Sequence, residues 1–246
     1  MRKLPTLLLA TTVYIVSLGA AHLIKAGDIP INNNTMVFSE WDNGVPGMYY
    51  NQDYKGNYSV NWDFTGSSNG GGDFTIGSGW NAAINGVPPT FPWIQIGYNA
   101  GQCTINGFGQ FGAYGWFTAA GSVWTDTEFY ITDMCDHSPS GNPTRGTWLG
   151  TVYADGDTYD VYHSYPIYNK DGSQEVGING NPLEQWVSVR QHNQSTGTNN
   201  AISTWIHFNK WQSLGWNMGQ YHSMELGTEG GFGGYGQVNA TAWWNN

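Results

Sequence analysis

Residues 151–162 read TVYADGDTYDVY, two strand-like runs with a turn between them. Apolar and polar side chains alternate in the runs 151–153 and 158–162, which is the period of a half-buried β-strand. The segment between them, Ala154-Asp155-Gly156-Asp157, has the composition of a tight hairpin turn. These residues therefore predict a β-hairpin.

The same alternation recurs elsewhere in the chain. The run 57–62 reads NYSVNW and places Tyr58, Val60 and Trp62 on one face, and residues 185–191 read QWVSVRQ. The 35 Gly favour turns over long helices, and the 13 Trp, 15 Tyr and 10 Phe supply area for a core. Many short strands between Gly, Asn and Asp turns predict an all-β sandwich or barrel.

One segment departs from this pattern. Aromatic residues recur at a nearly helical spacing within residues 202–214. Ser203 and Thr204 are suited to cap the start of a helix, and Gly215 is suited to end it in the left-handed conformation. We predict one short α-helix here, with its aromatic stripe packed against a sheet.

The first residues have the features of a secretory signal. Met1-Arg2-Lys3 is basic, and an uncharged apolar stretch follows from Leu4 to Ala21. We predict a signal region over residues 1–26, followed by a single domain over residues 27–246 and a secreted, monomeric protein without a membrane segment after cleavage. An uncleaved membrane anchor is the alternative.

The charge balance limits the classes of partner. The formal net charge is −10, with only 8 Lys and Arg, which argues against nucleic acid and anionic membranes as partners. A neutral polysaccharide fits this balance better.

Cys103 and Cys135 could form a disulfide or remain free thiols, and their spacing along the chain does not distinguish the two states. No metal-ligand spacing is present, so we predict no metal site and no cofactor.

Two carboxylates lie in sequence contexts that suit chemistry on a sugar. Glu128 and Tyr130 share one face of the strand-like run 127–132, while Phe129 and Ile131 would face the core. Glu229 lies among glycines in residues 227–231, GTEGG, where a large ligand has room to approach. Glycosidic cleavage needs two such carboxyl groups in different protonation states.

A set of short motifs occurs in an order that is known from one family. The motifs are WDNG (41–44), NYSVNW (57–62), GDF (72–74), GW (79–80), YGW (114–116), EFYI (128–131), GDTYDVY (156–162), QWVSVRQ (185–191), LGWNMG (214–219) and GTEG (227–230). Each is weak alone, but in this order over residues 38–244 the chain resembles the glycoside hydrolase family 11 endo-β-1,4-xylanases. The resemblance implies a two-sheet β-jelly roll and hydrolysis of xylan.

The resemblance also implies roles for individual residues. Glu128 matches the family's nucleophile and Glu229 its acid/base, in a retaining mechanism with the two carboxyl groups about 5–5.5 Å apart. The implied cleft residues are the tyrosines Tyr114 and Tyr130, the glutamine Gln185, the aromatic platform Trp41, and Asp73 beside the acid/base, where the family's Asp goes with an acidic pH optimum.

The chain departs from the family pattern at several places. Ile167 stands where the family has an arginine, and the loop from Tyr168 to Glu184 is longer than the family's thumb loop. Ser223 replaces a tyrosine upstream of Glu229. Glu225 shares a face with Glu229 on a regular strand, or else it is a rim residue in water or lies at a local bulge. Two alternatives therefore stay open: a non-catalytic carbohydrate-binding protein and a hydrolase of another β-glucan.

Overall fold

The computed structural model describes residues 36–53, 55–66, 71–85, 93–138, 146–169 and 171–245. The predicted signal region, residues 1–26, lies outside this range, and its assignment stays a prediction.

Within these residues the strands form two sheets. In chain order the strands are β1 (Val37–Asp42), β2 (Met48–Gln52), β3 (Asn57–Asp63), β4 (Asp73–Asn81), β5 (Gln95–Asn106), β6 (Gly109–Thr118), β7 (Asp126–Cys135), β8 (Thr147–Ala154), β9 (Asp157–Ser164), β10 (Leu183–Arg190), β11 (Asn199–Ser203), β12 (Gln220–Gly231) and β13 (Tyr235–Asn245). The larger sheet has the order β1-β4-β12-β6-β7-β10-β9-β8, and the smaller has the order β11-β5-β13-β3-β2. The prediction of an all-β, two-sheet sandwich is confirmed.

Two late strands lie in the middle of the larger sheet. β12 pairs antiparallel with both β4 and β6. β10 pairs in parallel with β7, which sets Gln185 opposite Glu128. Residues that are far apart in the chain therefore meet on adjacent strands at the centre of this sheet.

The predicted hairpin joins β8 to β9. Ala154 pairs with Asp157, so the loop has only two residues, Asp155 and Gly156. Both have positive φ, 48° and 81°. This is the geometry of the primed turns that match strand twist, and an Asp-Gly pair adopts it readily.

The core lies between the two sheets and is largely aromatic. Tyr58, Val60 and Trp62 of β3 are buried, as their alternation predicts, and Phe129 and Ile131 of β7 join the same cluster. Burying one such side chain contributes roughly 1.5–3 kcal/mol. The other face of β7 is thereby left to Glu128 and Tyr130.

The predicted helix is present as α2, Thr204–Ser213. Ser203 is its N-cap residue, but its hydroxyl donates to Asp155 of the hairpin instead of capping the helix. Gly215 follows the C-cap with a φ of 109°, as predicted. One helical turn that the sequence did not predict, α1 (Ala82–Asn85), follows β4.

The cysteines are not bridged. Cys103 and Cys135 are both free thiols, and burial raises the pKa of each to about 12. Among the described residues, no helix has the length and apolar character to cross a membrane. The same residues contain no cluster of three or more His, Cys, Asp or Glu side chains arranged to hold a metal ion.

A buried polar network lies beneath β7 and next to α2. The Asp133 carboxyl accepts hydrogen bonds from the hydroxyls of Tyr98 and Tyr159, and Arg190 lies 3.9 Å from it. Burial outweighs these contacts and raises the pKa of Asp133 to about 6. His207 of α2 packs edge-on against Tyr159 and is fully buried.

We expect His207→Gln to remove a pH-dependent part of the stability. Burial, with a smaller contribution from the Arg190 cation, lowers the pKa of His207 to about 3. The native state therefore keeps a neutral imidazole, whereas the unfolded chain binds a proton below about pH 6.5. The contribution of His207 to the free energy of unfolding is therefore fully present above pH 6.5. It is lost as the pH falls toward 3, at up to about 1.4 kcal/mol per pH unit.

Urea unfolding of wild type and variant across pH 3.5–7 measures this difference. The raised pKa of Asp133 makes the protein more stable as the pH falls from about 6 to 4, which is the opposite trend. Both proteins share this effect, so it cancels in the difference between them. The matched control is His192→Gln, at an exposed histidine that pairs with Asp157 at 3.3 Å, so it reports the effect of a surface histidine in place of a buried one. A wild-type-minus-variant free energy that does not change with pH would mean that His207 is not held neutral.

Candidate active site

A cleft of about 520 Å³ lies on the face of the larger sheet that points away from the smaller one. The structure brings all seven predicted site residues into its lining: Trp41, Asp73, Tyr114, Glu128, Tyr130, Gln185 and Glu229. They come from β1, β4, β6, β7, β10 and β12, and each points to the cleft because side chains alternate along its strand.

Glu128 accepts three hydrogen bonds from cleft side chains. The hydroxyls of Tyr114 and Tyr130 donate to its Oε1 at 3.0 and 2.9 Å, and the amide of Gln185 donates to its Oε2 at 2.6 Å. Three donors on one carboxylate fix its direction. Both oxygens of Glu128 are thus held in place by cleft side chains.

Trp116 supports this arrangement from the next position on the cleft face. Its indole N–H donates to the Tyr114 hydroxyl at 2.7 Å, which leaves the tyrosine proton for Glu128. Burial, together with the charges of Glu128, Glu225 and Glu229, raises the pKa of Tyr114 well above its usual value near 10. Tyr114 therefore remains a proton-bearing donor at any working pH.

Glu229 has an amide partner that the sequence did not reveal. Gln110 of β6 lies opposite Glu229 of β12, and its Nε2 donates to the carboxylate at 2.5 Å. Thr132 donates to the Gln110 carbonyl at 2.6 Å, so the amide can present only its N–H side to Glu229. The available signal was alternation, because Gln110 shares a strand face with Tyr114.

Two further predicted residues lie on β4 and β1. Asp73 opens β4 opposite Gly231, one diagonal step from Glu229, which pairs with Thr75. Trp41 pairs with the same Thr75 from the other side, on β1. The structure therefore places Asp73 beside Glu229 and Trp41 at the rim of the same cleft.

Glu225 also lies on the cleft side of β12, but it is buried. Its exposed fraction is only 6%, so the alternative of a solvated rim residue is wrong. The Ser39 hydroxyl of β1 donates to it across the strand between them. A Cβ on Gly77 would lie 2.9 Å from its carboxyl carbon, so the glycine leaves the room that this side chain fills.

The cleft is negatively charged. Its lining includes the carboxylates of Asp73, Glu128, Glu175 and Glu229, and no described lining residue is Lys or Arg. Tyr165, Ile167 and their neighbours on the loop between β9 and β10 form one wall, so the position where the family has an arginine is apolar here. A cleft of this charge suits a neutral ligand better than an anionic one.

Comparisons with known proteins show the family of this chain. A family model described as glycosyl hydrolases family 11 matches residues 33–241. Endo-1,4-beta-xylanase B of Penicillium oxalicum is 32% identical over 216 residues, which cover 87% of this chain and 60% of that protein. Endo-1,4-beta-xylanase 2 of Rhizopus oryzae is 30% identical over 199 residues, which cover 80% of this chain and 78% of that protein.

A solved structure gives the same result for the fold. It comes from a comparison of two endo-1,4-β-xylanases of Trichoderma reesei and superposes with a TM-score of 0.65 at 25% identity, covering 85% of this chain and 99% of that one. Because the family model spans most of the sequence and the fold agrees with it, this chain belongs to family 11 of the glycosyl hydrolases.

Proposed function

We propose that this protein is a secreted endo-1,4-β-xylanase that hydrolyses xylan with retention of anomeric configuration. Family membership and the xylanases among its relatives support the activity. The observation that carries the proposal is the cleft itself, because Glu128 and Glu229 both line it. The two carboxyl groups have different hydrogen-bond partners.

In the first step Glu128 acts as the nucleophile. Its ionised Oε attacks the anomeric carbon, the bond to the leaving sugar oxygen breaks, and Glu229 gives that oxygen its proton. A covalent glycosyl-enzyme and a shortened xylan chain result. The three donors around Glu128 suit this role, since they fix its direction.

In the second step Glu229 acts as the base. It is now a carboxylate and takes a proton from water, whose oxygen attacks the same anomeric carbon and releases Glu128. Two inversions at one carbon give net retention. Gln110 supports the exchange of roles, because its fixed amide N–H keeps the Glu229 side chain in place in both steps.

Other cleft residues have roles in binding and tuning under this proposal. Trp41 offers an aromatic face to a distal xylose, and Tyr130 and Gln185 hold Glu128. Asp73, one diagonal step from Glu229, places a second carboxyl group beside the acid/base, in the tuning position that the family resemblance implies. The proposal that the protein is secreted is based on the basic and apolar start of the sequence. We also propose that the protein is a monomer.

The decisive experiment measures new reducing ends with xylan, cellulose and mixed-linkage glucan as parallel substrates. We expect release from xylan to exceed that from either glucan at least about tenfold. This ratio corresponds to roughly 1.4 kcal/mol of difference in transition-state binding. Proton NMR during the reaction should show the β-anomer of the product first.

The other outcomes separate the alternatives. A non-catalytic binding protein would retain insoluble xylan and release no ends. A hydrolase of another β-glucan would prefer cellulose or mixed-linkage glucan. Early appearance of the α-anomer would contradict the retaining mechanism even if xylan is cleaved.

A further inference from the structure

The loop between β9 and β10 (the 165–182 loop), of which residues 165–169 and 171–182 are described, is folded onto itself. Short bridges join Tyr168 to Gln174 and Val176 to Pro182. Backbone N–H groups of Glu175 and Gly177 donate to carbonyls of this same loop at 2.8 Å each. Its residues 165–168, 175 and 176 line the cleft. The loop is therefore a structured wall of the candidate active site.

Asp126 is the residue of the sheet that holds this loop. It is fully buried, opens β7, and shares a strand face with Glu128 and Tyr130. The Asn179 backbone N–H donates to its Oδ2 at 2.9 Å, and the Asn181 side-chain amide donates to its Oδ1 at 3.1 Å. Hydrogen bonds to a carboxylate are stronger than neutral ones.

The same side chain also holds a second loop. The Ala119 backbone N–H donates to Asp126 Oδ1 at 2.9 Å, from the connection between β6 and β7. The Asp126 backbone N–H in turn donates to the Pro182 carbonyl at 3.0 Å. One buried carboxylate thus joins both loops to the strand that carries Glu128.

The fit around Asp126 is close. A Cβ on Gly177 would lie 2.3 Å from the Asp126 Cβ, so the loop backbone rests directly on this side chain. Next to it, Ile178 is buried in one cluster with Tyr114, Trp116 and Tyr130. The loop therefore rests on Asp126 and, through Ile178, belongs to the buried cluster that contains the tyrosines bonded to Glu128.

We propose that Asp126 is a positioning residue that fixes the 165–182 loop as a rigid wall of the substrate cleft. This inference rests on the proposed function, since its readout is the cleavage of xylan. Removing the carboxylate leaves buried N–H groups without an acceptor, and the loop must then move to reach water. Substrate contacts made by the loop are lost while Glu128 and Glu229 stay in place.

The test uses Asp126→Ala, with Asp171→Ala as the matched control. Asp171 is an exposed carboxylate of the same loop, and it accepts hydrogen bonds from Ser173 at the loop tip. We expect Asp126→Ala to raise KM for xylan about tenfold with a smaller change in kcat, as loss of uniform substrate binding does. Hydrogen exchange should accelerate at the amides of Asn179 and Leu183. The control should change neither.

Asn181→Ala provides a second variant, which removes one donor from the loop without touching the sheet core. It should also raise KM. The free-energy change that corresponds to KM of the double variant should be smaller than the sum of the two single changes. This variant keeps the proposal testable if Asp126→Ala does not fold.

Two results would overturn the inference. Unchanged KM and unchanged amide exchange in both variants would show that the loop does not depend on Asp126. A fall in kcat with unchanged KM would show that Asp126 acts on Glu128 and not on the loop. An inactive wild type would count against the proposed function instead, and the exchange experiment would still decide the role of Asp126.

Discussion

Glu128→Gln is expected to lower kcat on xylan by about 10³–10⁵-fold, because the loss of a covalent nucleophile removes a whole reaction path. Gln has almost the same shape, and its carbonyl oxygen still accepts from Tyr114 and Tyr130. The amide nitrogen cannot attack the anomeric carbon, and it meets the Gln185 amide donor-to-donor. The variant should therefore bind xylan and fail to cleave it.

The measurement is a reducing-end assay beside a thermal unfolding curve, so that loss of fold is separated from loss of chemistry. Glu40→Gln is the matched control, because it removes a carboxylate from β1 that bonds to Tyr50, outside the cleft lining. It should keep wild-type turnover. A Glu128→Gln protein that folds and retains the wild-type rate would end the assignment of Glu128 as nucleophile.

Glu229→Ala is expected to lower kcat on xylan by about 10²–10⁴-fold, the usual worth of general acid–base catalysis. Its loss should depend on the substrate. An aryl β-xylobioside whose phenol leaves without protonation needs no acid in the first step, so the variant should release a burst of phenol. Turnover should then stop at the glycosyl-enzyme, because no base activates water.

Added azide should restore turnover, since this anion attacks the anomeric carbon without a base and yields a β-xylobiosyl azide. With Glu128→Gln, azide should give no β-xylobiosyl azide from this substrate, because that variant lacks the group that forms the covalent intermediate. Equal losses for Glu229→Ala on xylan and on the activated substrate would contradict its role as acid/base.

Local alternation was sufficient to predict the strand face of Glu128 and Tyr130, whereas Trp41, Asp73 and Gln185 were predicted from the family resemblance. Glu128 and Tyr130 point to the cleft because Phe129 and Ile131 point to the core. The same rule set Glu225 on the face of Glu229. What it could not give was the burial of Glu225, which depends on Gly77 and Ser39 on neighbouring strands.

The residues that the sequence missed all act through long-range pairing. Gln110 meets Glu229 across 119 positions, and Asp126 meets Asn181 across 55. Register between distant strands, with a bulge between Tyr221 and Ser223, decides such contacts, and no local pattern reports it. The state of Cys103 and Cys135 was open for the same reason, since spacing along the chain says nothing of distance in space.

The central position of β12 has a consequence for a chain that is still being synthesised. β4 and β6 are its partners on both sides, yet residues 220–231 follow them by more than a hundred positions. Until that segment leaves the ribosome, the two strands lack their central neighbour and present unpaired edges, which favour aggregation. The nascent chain also lacks Glu229 until that moment, so the central strand of the larger sheet and the second carboxyl group of the cleft emerge together.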